Sequence, residues 1–243
     1  MLLRCMHAEL IKLKRSFVWA VFFILPPIGT VMGCANYMQN LGILKEEWYS
    51  LWTQTTLFYS NFFFPPLIAV YCAYLWRLEN FNHNRNSLMT SPMPVSCLYG
   101  AQFLTIACIT LFTQLYVGVL YTASGALLGL PGLPPLQICL WLLRGTLGGL
   151  TIAAVQLFLA SILRSFALSI AIGLLAGITG FLVSNAGAGL FFPYSLMLLG
   201  MNANRAEDIL NGSALPFYLS CLFFLALFFF LGTWYLKRAD VKA

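Results

Sequence analysis

Few side chains in this sequence are of types that make or break covalent bonds, and their spacing argues against the common reaction classes. A serine among small residues, Thr122-Ala123-Ser124-Gly125, would need a base within hydrogen-bonding reach to act as a nucleophile. The two histidines, His7 and His83, both lie in polar segments expected on the opposite side of a membrane from Ser124. There is no GxxxxGK[ST] phosphate loop to cradle ATP and no HExxH pair to hold zinc. The seven cysteines, at 5, 34, 72, 97, 108, 139 and 221, are scattered and odd in number, and none has CxxC spacing. They read as small apolar fillers, so no metal site is expected. The sequence predicts no catalytic residue and no enzyme activity of its own.

A different kind of chemistry is available in the backbone. Pro26-Pro27 and Pro65-Pro66 each fall inside a long apolar run. A proline pair removes two N–H donors and leaves carbonyls of the preceding turn without partners. At membrane depth such carbonyls can line a substrate path, as in carriers with broken helices, although the same pairs also serve as plain packing kinks. The runs place no Asp, Glu, Lys, Arg or His at the membrane centre, where an ion-coupled carrier would need one. The candidates for a pore lining, Gln102, Thr105, Gln114, Gln156 and Ser161, more often bond helix to helix.

The elements that must position these residues are membrane helices. Of 243 residues 60% are apolar and 8% charged, against about a quarter charged in a soluble domain. About 20 apolar residues cross roughly 30 Å of hydrocarbon. Uncharged runs cover 17–42, 50–76, 98–129, 165–204 and 215–236, and a sixth, 136–163, is broken only by Arg144. The expected fold class is an all-α integral membrane protein with six spans, near 17–38, 54–76, 98–122, 140–163, 166–186 and 215–236. The net charge of +6 follows the membrane rather than a nucleic acid. With the amino terminus in the cytoplasm, ten of the thirteen Lys and Arg fall on that side and only Lys45, Arg144 and Arg205 lie toward the other. The positive-inside rule then places both termini in the cytoplasm. Val31-Met32-Gly33-Cys34 resembles a lipoprotein cleavage site, but Glu9 and the proline pair favour an uncleaved first helix.

The segments between spans carry their own signals. Residues 1–16 set Leu3, Met6, Leu10 and Leu13 at spacings of three and four among basic residues, which predicts an interfacial amphipathic helix with its lysines toward anionic lipid. Residues 77–97 form a long polar cytoplasmic loop in which 87–90 can make a short helix before Pro92 and Pro94. Arg144 is expected to snorkel to the outer headgroups. Gly145 with Gly149, and Gly173 with Gly177, have the GxxxG spacing of close helix packing. The outer segment 187–214 is expected to be amphipathic or re-entrant, its apolar half with Phe191, Phe192 and Tyr194 dipping into the outer leaflet.

An amphipathic basic leader, six spans, Glu79 followed by 86–96 (NSLMTSPMPVS), and an apolar outer segment before the last span together resemble the permeases of type-2 ATP-binding-cassette (ABC) exporters. More narrowly the layout is similar to the small permeases of the lantibiotic-immunity branch. The resemblance implies that the loop 77–97 is a coupling element seated in an ATPase, with Glu79, Arg85, Leu88, Met89 and Pro92 passing on its closure. It implies two separate ABC ATPase subunits that bind ATP and Mg, no cofactor in this chain, and a second permease, by preference an unlike homologue. It further implies a bacterial plasma-membrane location and a hydrophobic peptide substrate, a lantibiotic or similar antimicrobial peptide, extracted past Phe191, Phe192 and Tyr194. The other readings are a self-contained carrier, a channel, or a structural membrane protein, none of which needs an ATPase.

Overall fold

The computed structural model describes residues 1–14, 16–80, 94–163, 165–205, 207–211 and 213–238. Their regular structure is helical throughout: α1 (Leu2–Leu13), α2 (Trp19–Gln39), α3 (Glu47–Phe58), α4 (Phe64–Asn80), α5 (Val95–Leu127), α6 (Leu136–Ile162), α7 (Phe166–Asn185), α8 (Ser195–Gly200) and α9 (Leu215–Arg238). A π-helical turn, Tyr59–Phe63, joins α3 to α4, and a 3-10 turn, Gly189–Phe191, precedes α8. Six helices are long and apolar enough to cross a membrane: α2, the continuous Glu47–Asn80 unit, α5, α6, α7 and α9. The second of these is longer than the 54–76 run that marks it in the sequence, because Trp48, Trp52 and a series of threonines extend the helix beyond the purely apolar part.

The Glu47–Asn80 unit is the axis of the bundle. Leu67, Ile68, Tyr71, Cys72, Leu75 and Trp76 on α4 are all buried, packed by α2, α5, α6 and α7. In contrast α9 shows Leu219, Leu222, Phe223 and Phe230 to its surroundings, the arrangement expected where lipid replaces water. Small residues set the closest approaches. A Cβ on Gly173 would lie 2.9 Å from Ala69 Cβ, and one on Gly177 2.8 Å from Pro65 Cγ, so this GxxxG pair seats α7 on α4. Gly149 faces Phe64 and Thr110, while Gly145 instead receives Met201 from the segment after α8.

Helix ends follow from local chemistry. α5 begins after Pro94 and α6 after Pro135, where a missing N–H is harmless. α5 stops at Gly129, whose φ of +74° is open to glycine, and Leu130 N–H returns to Gly125 O at 3.0 Å. Ser165 caps α7, its hydroxyl accepting from Leu168 N–H.

Candidate functional site

Three sites concentrate the polar chemistry of the bundle: one at the α1 end, one at mid-bundle and one at the opposite end.

At the first, α1 lies against the start of α5 and the last turn of α4. Its inward face is Cys5, Glu9, Lys12 and Leu13, whereas Leu3 and Leu10 of the apolar stripe are exposed. The helix is therefore amphipathic in two senses, with a polar seam on the protein and leucines left for the interface. Lys12 is turned inward, contrary to the expectation that the lysines face lipid. Its Nζ donates to Glu9 Oε1 at 2.6 Å and also to Glu79 Oε1 on α4. Both glutamates are buried, at 2% and 3% exposure. Burial pushes the Glu9 carboxyl above its ordinary range, Lys12 pulls it back, and the second carboxylate pushes it up again. Burial alone would lower the Lys12 ammonium, but the two carboxylates hold it above its usual value. Next to this triad the thiols of Cys5 and Cys97 approach to 3.6 Å, bringing α1 to the first turn of α5. Glu79 is thus the residue on which the amino-terminal helix is fastened. Arg85, Leu88, Met89, Pro92 and the short helix expected at 87–90 lie outside the described residues.

At mid-bundle the helix that holds one proline pair meets the turn that precedes the other. Pro26 and Pro27 lie inside α2, where Thr30 donates its hydroxyl to Pro26 O at 3.0 Å. One turn on, Gly29 faces Phe63 and Tyr59 of the π turn. That turn precedes Pro65-Pro66 for a physical reason: the prolines offer no N–H to the carbonyls four residues back, and a widened turn redistributes the ladder. The Asn61 amide donates to Leu57 O, one turn back, at 2.7 Å. Pro65 then meets Gly173 and Gly177 of α7, and Gln156 of α6 reaches the same place, its amide 2.6 Å from where a Gly173 Cβ would lie. Gln156 donates to Tyr194 OH at 2.8 Å, so Pro65 and Tyr194 share a neighbourhood. The other candidate pore residues behave differently: Thr105 and Ser161 bond to carbonyls of their own helices, and the Gln102 and Gln114 amides are buried without protein partners.

At the far end the apolar half of the outer segment does not lie in the leaflet. α8 is wholly buried, wedged against α6, where a Cβ on Gly148 would sit 2.5 Å from Met197 N. Thr151 donates to Pro193 O at 3.0 Å, Ser195 to Gly180 O at 2.7 Å and Trp52 Nε1 to Met201 O at 2.7 Å. The segment folds back against the bundle, and Tyr194 to Met201 face protein. Tyr194 is buried at its base and Phe192 packs on Tyr194 with ring centroids 5.7 Å apart. Phe191 alone of the three aromatics points out, 83% exposed, lining a lipid-side groove of about 500 Å³ with Leu219 and Phe223 of α9. Arg144 does not snorkel to headgroups. Its guanidinium bonds Asp208 at 3.0 and 3.3 Å, and Gln137 donates to the same carboxylate at 2.8 Å. Burial raises an aspartate, but the donors gathered here, the Trp141 indole first and then Leu210 N–H and Arg144, hold Asp208 below its ordinary range.

Lys12, Asn61 and Asp208 are absent from the sequence-derived site, and Gln156 enters the sequence reading only as a pore-lining candidate. Only Lys12 had a local signal, its position three residues after Glu9 on one helix.

A family model described as ABC-2 family transporter protein matches residues 5–180. No curated protein matches the sequence. The match takes in α1, the Glu79 junction and both proline pairs, so the chain belongs to the ABC-2 transporter family, as a multi-pass permease subunit of the kind that normally works with separate ABC ATPase subunits.

Proposed function

We propose that this permease serves an ATP-driven exporter that expels a lantibiotic or similar antimicrobial peptide from a bacterial plasma membrane, giving immunity or resistance. Both termini lie in the cytoplasm. Two ATPase subunits bind ATP and Mg on that side, and a second permease, an unlike homologue, completes the pore. The observation that carries this reading is the fastening of α1 to Glu79 through Lys12. It makes the interfacial helix and the root of the 77–97 loop one unit, at the end that holds ten of the thirteen basic residues. An ATPase pressing on Arg85, Leu88, Met89 and Pro92 in the loop would act on α4 and α1 together. The outer segment supports the outward half of the reading: it presents Phe191 to lipid beside an apolar groove while its base is held by Tyr194 and Gln156.

The test is purification of the tagged protein in mild detergent from its host, with identification of the proteins that accompany it. The expected result is a separate ABC ATPase, lost when Leu88 and Met89 are both replaced by glutamate. Recovery of the chain without an ATPase, under conditions that keep known complexes whole, would move the function to a self-contained carrier or structural protein. Sensitivity of the host to cationic peptides after deletion of the gene tests the substrate separately.

A further inference from the structure

At the end opposite α1 a cleft of about 350 Å³ opens between the start of α3, the first turns of α6 and the outer segment. It is lined by Glu46, Tyr49, Gln137, Trp141, Asp208 and Asn211. Two of these are carboxylates, two are aromatic rings and two are amides. The rings of Tyr49 and Trp141 stand edge to face, centroids 5.6 Å apart at 64°. Trp141 is only 3% exposed, and its indole N–H is one of the donors that act on the Asp208 carboxylate. Asp208 is held by Arg144, which neutralises one negative charge, but no group among the described residues pairs with the Glu46 carboxylate. The backbone N–H of Glu46 is occupied, donating to Ser50 Oγ at 3.0 Å, which fixes the residue at the head of α3 and leaves its side chain to the cleft. The surroundings have the same sign. Beyond the spans this end has Lys45, Arg144 and Arg205 against Glu46, Glu47, Glu207 and Asp208, while the other end is strongly basic.

We propose that this cleft binds an ammonium-bearing side chain of a peptide, a lysine by chemical class, before the peptide enters the transporter. The proposal rests on the peptide-exporter reading and adds where the positive charge is read. Glu46 faces the ammonium with the Arg144-paired Asp208 behind it, and the half-buried Tyr49 ring supplies a π face to its methylenes and charge. The Gln137 and Asn211 amides at the rim match the carbonyls and N–H groups of a peptide backbone. An aminophospholipid headgroup also offers an ammonium, but it would bring a phosphate against Glu46, Glu47 and Glu207, so a peptide fits the charge better.

The experiment uses the permease with its co-purifying subunits in nanodiscs of phosphatidylcholine. Two fluorescent amphipathic peptides are titrated, one carrying lysines and one with every lysine replaced by glutamine. The lysine peptide is expected to bind roughly tenfold more tightly, a preference that shrinks as salt is raised. Glu46→Gln, at an exposed position, and Tyr49→Phe and Tyr49→Leu, at a half-buried one, are compared: Glu46→Gln and Tyr49→Leu should each remove most of that preference and leave the glutamine peptide's affinity unchanged, while Tyr49→Phe keeps it. Equal binding of the two peptides to the wild type, or a preference that survives both substitutions, overturns the proposal. So does a preference that disappears when phosphatidylethanolamine is added to the discs, since the site then belongs to the lipid. Each of these outcomes is independent of whether an ATPase co-purifies, which tests the exporter reading itself.

Discussion

Replacing Lys12 by methionine should release α1 in a way that depends on pH. The substitution keeps the side chain's length but leaves Glu9 and Glu79, whose side chains are 2% and 4% exposed, facing each other without a cation. Removing one partner from a buried ion pair costs about 3–5 kcal/mol. The penalty has a ceiling, because a carboxylate can take up a proton. For a glutamate with an ordinary pKa near 4.3 that costs roughly 4 kcal/mol at pH 7 and roughly 2 at pH 5.5. The variant's undocking constant should therefore fall about 30-fold between pH 7 and pH 5.5. Even in the wild type the raised Glu9 favours docking at low pH: its contribution is complete below the ordinary glutamate range and is lost as pH rises through its higher folded value. The thiols of Cys5 and Cys97, 3.6 Å apart, provide the reporter. Linking them with dibromobimane in native membranes, and reading the linked peptides by mass spectrometry, measures the docked fraction. Wild type should link readily at both pH values, and Lys12→Met slowly at pH 7 and faster at pH 5.5 after correction for thiol reactivity. Adding Glu9→Gln and Glu79→Gln to Lys12→Met should restore linking, since a neutral seam has no charge to strand. Equal linking in wild type and Lys12→Met at pH 7 would refute the idea that the triad holds α1.

Gly148→Leu should destabilise the fold by more than about 3 kcal/mol and expose the outer segment to protease, because its Cβ would meet the Leu196–Met197 backbone; Gly42→Ala, with nothing within 4 Å, should be silent in the same assay. Arg144→Met should lower thermal stability in detergent by about 3 kcal/mol, and Asp208→Asn in the same chain should recover much of it. Because Asp208 is held below its ordinary range, its contribution is present above that range and lost as pH falls through its folded value, so wild type and Asp208→Asn should converge at low pH. Trp52→Phe removes the donor to Met201 O and should cost about 1–3 kcal/mol, seen as faster amide exchange in the turn after α8.

The sequence made the number of membrane helices legible because lipid imposes one demand that composition alone records, an unbroken apolar run. It could not tell which apolar surface meets lipid and which meets protein, since both are equally apolar. Leu196–Leu199 therefore read as a stretch for the leaflet, and the structure uses them as a wedge against Gly148. The lysines of α1 read as its lipid-facing side, whereas Lys12 turns inward with Glu9 and it is Leu3 and Leu10 that are exposed. Arg144 lay beyond local reading for another reason. Its partner is 64 residues away, and no periodicity reports a pairing across two helices and a turn. Of the polar residues within spans, Gln156 does bond to Tyr194 of another segment, but the amides of Gln102 and Gln114 have no partner among the described residues.

The Glu47–Asn80 unit ties the two ends together, and its irregularity has a place in that. At 1.5 Å per residue its 34 residues run about 50 Å, well beyond the roughly 30 Å of hydrocarbon, so both ends reach the interfaces. Trp52 holds the turn after α8 through Met201 O at one end, and Glu79 holds α1 through Lys12 at the other. Between them the helix is smooth except at the Tyr59–Phe63 turn and Pro65-Pro66, where the ladder lacks donors. Gly29 on one side and Gly177 on the other bring α2 and α7 into contact with that break. A displacement applied at Glu79 can thus move α4 and α7 as one body, joined at Gly173 and Gly177, while the π turn yields and Trp52 stays with the far end. On this geometry the second proline pair matters less as a row of free carbonyls than as the place where two rigid halves of one membrane helix meet.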